Sequence, residues 1–208
     1  MKGKFITFEG GEGVGKSKQI SMLKEYLDSH KIKYIMTREP GGTPISEKIR
    51  EIILSKNNSE MTDYTEALLY ASARAQLIDE VILPKLNEGY TVFCDRYIDS
   101  SFAYQAYARG LGYDFIKSVN SYAIEKAMPD YTVFLNLDPV SAFKRKGGAD
   151  KTDRLELSGA EFHKKVYEGY IELLKKDESG RIINIDCRGT KDETHAKIIN
   201  ALKKAGVL

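Results

Sequence analysis

Five short runs rich in β-branched and aromatic residues, each separated from the next by a longer helix-like stretch, constrain this 208-residue chain more than any other feature. The runs are Lys4–Phe8, Lys33–Thr37, Thr91–Cys94, Tyr131–Leu137 and Arg181–Ile185. Strands that alternate with helices pair in parallel, because a helical crossover returns the chain to the same end of the sheet. The runs are apolar at successive positions, as strands covered by helices on both faces must be. The pattern predicts an α/β fold: a three-layer, doubly wound, five-stranded parallel sheet with helices on both faces, forming one domain over residues 1–208. A long helix is predicted over Thr62–Glu88, with Pro84 bending it or marking its last turn. In such sheets ligands bind beyond the carboxyl ends of the strands. That rule directs attention to Glu9–Ser17, Arg38–Thr43, Asp95–Gln105, Asp138–Arg154 and Asp186–Thr190.

Charge excludes some partners. Thirty-two Lys and Arg against 30 Asp and Glu leave a formal +2, too little for a global field that would draw nucleic acid or an anionic membrane. Any anion site must be local. The two cysteines, Cys94 and Cys187, form no CxxC pair, which predicts packed thiols in a reducing, cytoplasmic setting rather than a disulfide or zinc framework. No stretch reaches the roughly 20 apolar residues of a membrane span.

The first strand runs straight into Gly10-Gly11-Glu12-Gly13-Val14-Gly15-Lys16-Ser17, which matches G-x-x-x-x-G-K-[ST] and opens a helical pattern over Ser17–Leu27. Strand, glycine loop and helix in that order form the context this motif requires. Glycines let successive backbone N–H groups turn inward, and the helix N-terminus adds partial positive charge for phosphates. Lys16 is expected to reach the terminal phosphates of ATP and Ser17 to bind Mg²⁺, with Asp95 a second metal partner through water. The guanine-reading N-K-x-D of switch GTPases is absent, and D-x-x-G occurs only at Asp177–Gly180 and Asp186–Gly189, too late in the chain for a switch region.

Two further clusters end predicted strands: Thr37-Arg38-Glu39-Pro40-Gly41-Gly42-Thr43, and Cys94-Asp95-Arg96-Tyr97-Ile98-Asp99-Ser100-Ser101-Phe102-Ala103-Tyr104-Gln105. Their arginines can clamp an acceptor phosphate through paired hydrogen bonds. With the glycine loop, the Arg-Glu-Pro-Gly-Gly segment and the Asp-Arg-Tyr stretch running on to Gln105, nearly the whole chain resembles the bacterial thymidylate kinases. The resemblance implies transfer of the ATP γ-phosphoryl group to dTMP. It places Arg38, Arg74 and Arg96 around the acceptor phosphate with help from Arg50, and Glu12 on the sugar 3′-hydroxyl. It further implies that Tyr70 stacks on thymine, that Arg74 reaches a base carbonyl, and that Ser101, Tyr104 and Gln105 form the opposite wall. Tyr70 and Arg74 are four residues apart and share a helix face. A homodimer is also implied, for which Leu68, Leu69 and Ile78 offer an apolar helical surface.

Five basic residues surround Gly147-Gly148 between Phe143 and Arg154, predicting a mobile cationic lid at about residues 143–156. Members of the family whose glycine loop lacks an arginine draw the catalytic cation from this lid, and Arg154 and Arg145 are the candidates here. Adenine is expected near Arg145 and Arg188. An acceptor phosphate oxygen is already ionised, so the chemistry needs positioning and charge but no general base. Two other readings remain open at this point: a deoxynucleoside kinase or another nucleoside monophosphate kinase, and a non-catalytic nucleotide-binding regulator.

Overall fold

The computed structural model describes residues 3–145, 154–155 and 158–208. Most of the expected lid at about residues 143–156 lies outside the described residues, which omit 146–153 and 156–157. Strands β1 (Phe5–Glu9), β2 (Tyr34–Arg38), β3 (Thr91–Asp95), β4 (Tyr131–Asn136) and β5 (Ile182–Asp186) pair in parallel in the order β2-β3-β1-β4-β5. Each strand begins at its expected start or one residue after it and ends within one residue of its expected end, close agreement for boundaries read from pattern alone.

Successive side chains of a strand point to opposite faces, and the core divides accordingly. Ile6, Phe8, Phe93, Val133 and Leu135 pack with α1 (Lys16–Ser29) and, near the other end of the chain, Ile198, Ile199 and Leu202 of a late helix. On the other face, Phe5, Val92 and Cys94 pack with Leu77, Ile78 and Ile82, and Phe134 packs with Val166 and Tyr170. Each fully buried Phe or Leu contributes about 2 kcal/mol from the removal of its surface from water. The central strands are buried on both faces, whereas edge strands β2 and β5 are mostly half-buried.

After β2 come α2 (Pro44–Leu54) and α3 (Asp63–Leu77), then a π-helical turn, Ile78–Ile82, and α4 (Leu83–Asn87). The expected long helix is therefore one path with a wide turn immediately before Pro84. Proline lacks the N–H that an α-helix would use and its ring crowds the preceding turn, so a wider turn there relieves both conflicts. Ile78 is fully buried in this stretch, so it belongs to the core and not to an exposed dimer surface. Leu68 remains about half exposed.

Past β3 lie α5 (Ile98–Ser101) and a second π-helical stretch, Phe102–Ala108, followed by α6 (Tyr113–Val119) and α7 (Ser121–Lys126). After β4 come α8 (Pro139–Arg145) and α9 (Gly159–Lys176), and α10 (Lys191–Lys204) ends the chain's regular structure. Helix α9 lies close against the second π-helical stretch because Gly169 has no side chain: a Cβ there would stand 3.0 Å from the backbone of Ala103. That approach delivers Tyr170 to the end of β1. Parallel register brings Arg38, Asp95, Glu9, Asn136 and Asp186 to one rim of the sheet, where the functional side chains gather.

Candidate functional site

The loop after β1 is a phosphate-sized cradle because of its glycines. Gly13 has φ +74 and faces the carbonyl of Ala142, where a Cβ would sit 2.8 Å away. Gly15 has φ +93 and caps the N-terminus of α1. An L side chain is strained at both. Residues Gly11 to Lys18, with Arg96 and Arg145, line an open pocket over the helix N-terminus. Lys16 Nζ lies 2.6 Å from Asp95 Oδ1 at the end of β3. Burial and the nearby Arg96 cation lower the Lys16 pKa, while Asp95 and Glu12 oppose that shift.

A second pocket opens next to the first, lined by Glu12, Glu39, Tyr70, Arg74, Arg96, Tyr97, Ser100, Ser101, Tyr104, Gln105 and Leu155. Seven residues expected on the acceptor side are thus brought together: Glu12, Tyr70, Arg74, Arg96, Ser101, Tyr104 and Gln105. Arg96 and Glu12 line both pockets. Arg96 Nη2 donates to Glu12 Oε1 at 2.5 Å and Nη1 to the Gly10 carbonyl at 2.9 Å, while its guanidinium lies over the Tyr104 ring. Arg96 adopts φ +66, unusual for a residue with a side chain, and its N–H donates to the Phe8 carbonyl. This left-handed turn aims the side chain back across the end of β1 instead of along β3.

Three carboxylates with no expected role, Glu9, Glu39 and Glu66, brace these side chains. Glu9, fully buried, accepts from the Tyr97 N–H at 2.7 Å, the Ser100 hydroxyl at 2.5 Å and the Tyr170 hydroxyl at 2.7 Å. Burial, aided by the charge of Asp99, pushes its pKa up to about 7. Glu39 receives Arg74 Nε at 2.8 Å and Nη2 at 2.6 Å, and Arg74 Nη1 reaches Ser101 and Asn120. Burial likewise raises Glu39 to about 7 against the opposing pull of Arg74. Glu66 meets Gln105, Arg109 and Arg154. A sequence signal existed for Glu66, since Glu66, Tyr70 and Arg74 recur every four residues on one helix face.

Other expected residues lie off both pockets. Exposed Arg38 pairs with Glu47 at 2.8 Å, because α2 begins there and presents that carboxylate. Arg50 donates to the Pro40 carbonyl at 2.9 Å. Arg154, expected as a lid cation, is anchored instead: buried Glu66 and the carbonyl of Ile53 at the end of α2 hold its guanidinium. Arg188 pairs with Asp186 at the exposed end of β5. Arg145 does reach the cradle and also donates to the Gly189 carbonyl at 3.0 Å.

Among the described residues no cluster of three His, Cys, Asp or Glu side chains could cage a metal. The oxygen donors present, the exposed Ser17 hydroxyl at the start of α1 and the Asp95 carboxylate, suit a hard cation that keeps most of its ligands as water and phosphate.

A family model described as thymidylate kinase matches residues 8–198. A thymidylate kinase of Finegoldia magna is 46% identical over 204 residues, covering 98% of this chain and 100% of the relative. One of a Thermoanaerobacter species is 48% identical over 204 residues, with 98% and 99% covered. One of Bacillus velezensis is 46% identical over 210 residues, again with 98% and 99% covered. The likeness therefore takes in the cradle, the second pocket and the helices that brace them, and the chain belongs to the thymidylate kinase family.

Proposed function

We propose that this protein transfers the γ-phosphoryl group of ATP to the phosphate of dTMP, giving ADP and dTDP. The observation that carries the reading is the pair Arg96 and Glu12, which lines both pockets at once. Two anionic nucleotides held in those pockets would meet at Arg96. The glycine loop and Lys16 hold the donor phosphates through backbone N–H groups and one cation. Arg96, shared by the two pockets, would face both the phosphate being transferred and the acceptor phosphate. Placing positive charge where it develops, with both reactants fixed in line, is what phosphoryl transfer asks of a protein.

Arg96 now satisfies Glu12, and Lys16 satisfies Asp95. These pairings keep both cations oriented toward the junction, and incoming phosphate oxygens can take over as partners without moving either side chain far. Ser17 and Asp95 would hold Mg²⁺, which on binding neutralises phosphate charge and aligns the donor. Arg145 flanks the donor pocket, and Arg188 adjoins the Gly189 carbonyl that Arg145 reaches. Tyr70 and Tyr104 supply apolar ring faces for the base and sugar, while Arg74, Ser101 and Gln105 supply polar ones. The same proposal includes a homodimer in the cytoplasm. Ile45, Ile52, Tyr64 and Leu68 remain exposed on α2 and α3, and both cysteines remain buried thiols.

An acceptor panel tests the reading. With ATP and Mg²⁺, a coupled ADP assay is expected to show rapid turnover of dTMP and slow turnover of dCMP, GMP, AMP and thymidine. A buried site shaped to one base edge rejects others because its polar groups would go unpaired. Equal rates across the monophosphates would remove the thymine assignment, and faster turnover of thymidine would point to a nucleoside kinase.

A further inference from the structure

Glu66 is completely buried and does not line the second pocket, but it holds Gln105, which does. Its Oε1 accepts from Gln105 Nε2 at 2.8 Å. Its Oε2 receives Arg109 Nη2 at 3.0 Å and, more closely, Arg154 Nη2. Both arginines have other anchors: Arg109 stands over the Phe162 ring and 3.2 Å from Asp63, and Arg154 Nε donates to the Ile53 carbonyl. Two guanidinium groups therefore hold the Glu66 carboxylate in place on the wall behind Gln105.

An amide has two unlike ends, one that donates and one that accepts. A carboxylate already facing two guanidinium groups has only acceptor atoms to offer. Gln105 must turn its NH₂ toward Glu66, and the opposite orientation would set two oxygens against each other. The atom left for the pocket is the Gln105 carbonyl oxygen. We propose that Glu66 is a positioning residue for base selection: it fixes the orientation of the Gln105 amide, so that the pocket presents an acceptor to the base edge.

An acceptor at that point demands a donor from the ligand. Pyrimidines with an imide N3–H, the 2,4-dioxo class, supply one. Cytosine carries a lone pair at N3, so its approach would place two acceptors together and leave a buried polar group unpaired. Discrimination in this account comes from a residue that never meets the nucleotide. Arg154 has a related part, since its anchoring on Glu66 and α2 sets the adjoining Leu155 at the pocket wall.

The inference rests on the assignment of the second pocket to dTMP, and the test separates the two. In Glu66→Gln the partner of Gln105 can itself donate, so the Gln105 amide is free to turn. The preference for dTMP over dCMP, read as the ratio of kcat/KM values, should fall by about 10-fold or more, with KM for dTMP rising and kcat changing less. A residue that only supports the fold would lower both nucleotides' rates together and leave the ratio intact, and that result would overturn the proposal. Should thermal melting show Glu66→Gln to be unfolded, the double variant Glu66→Gln/Arg109→Met, which removes one of the two cations that lose the Glu66 charge, is measured in its place. A dTMP-bound crystal structure of the unaltered protein decides the matter without any variant, because Gln105 turned away from Glu66 there would refute the mechanism. Gln105→Met is the control on the underlying assignment: unchanged KM for dTMP would show that Gln105 does not face the base, whatever Glu66 does.

Discussion

Arg74→Met should destabilise the protein strongly, and more so in alkaline than in acid solution. The Arg74 and Glu39 side chains are 1% and 3% exposed, and the guanidinium gives Glu39 two contacts at 2.8 and 2.6 Å. Removing the cation leaves a carboxylate in the interior, a change that typically costs about 3–5 kcal/mol. For a chain of this length that corresponds to a fall in Tm of about 6–20 °C. Glu39 has its pKa raised from 4.5 to about 7, chiefly by burial, with Arg74 still pulling it down. A shift of that size separates its two protonation states by about 3 kcal/mol. Because the folded-state value is the higher one, the Glu39 contribution to stability is full below about 4.5 and is lost as pH rises through 7. Without Arg74 the carboxyl moves higher still, so the variant's deficit should be greatest near pH 8. By pH 5 the proton replaces the missing cation, and what remains is the loss of the hydrogen bonds to Ser101 and Asn120, about 1 kcal/mol each. Urea unfolding at the two pH values measures both deficits. A loss below about 1 kcal/mol at pH 8, or an equal loss at both pH values, would refute this account of the pair. Glu39→Gln/Arg74→Met should recover more than half of the deficit at pH 8, since neither buried charge is then left alone.

Lys16→Met should lower kcat by about 100-fold or more, the loss expected on deleting one preorganised charge at a developing anion, and near-normal turnover in steady-state assays would reject its role. Tyr170→Phe removes hydroxyl contacts of 2.7 Å to Glu9 and 2.9 Å to Ser100, and should cost about 1–3 kcal/mol in urea unfolding. That cost should be larger at pH 8 than at pH 6, because Glu9 is raised to about 7 mainly by burial and the Tyr170 hydroxyl is among the groups that favour its ionised form; a pH-independent difference would contradict the contact.

Sheet and cradle are legible in the sequence because their signals are local. A strand announces itself by a run of residues that suit a doubly covered sheet, and the glycine loop by spacing between neighbours in sequence. The edge of the site is legible for the same reason: the strand-end rule brings Glu12, Arg96 and Gln105 into one neighbourhood, and helical spacing adds Tyr70 and Arg74 as a pair. What a sequence does not disclose is which partner each cation takes, since those partners come from elsewhere in the chain. Arg154 reads as catalytic because it is a basic residue in a basic segment, yet a buried carboxylate 88 residues earlier claims its guanidinium. Arg38 reads as a phosphate ligand, yet the first turn of α2 presents Glu47 to it. In both cases the charge is plain from the sequence and its destination is not. The bracing carboxylates Glu9, Glu39 and Glu66 stay hidden for a related reason. Glu9 and Glu39 sit in stretches that a motif already explains, Glu66 shows only the four-residue spacing it shares with Tyr70 and Arg74, and burial, the property that makes an acid informative, belongs to the folded chain alone. The division has a physical consequence: local patterns show which residues gather at the site, whereas the partner that holds each side chain comes from packing, as Glu66 does for the Gln105 amide.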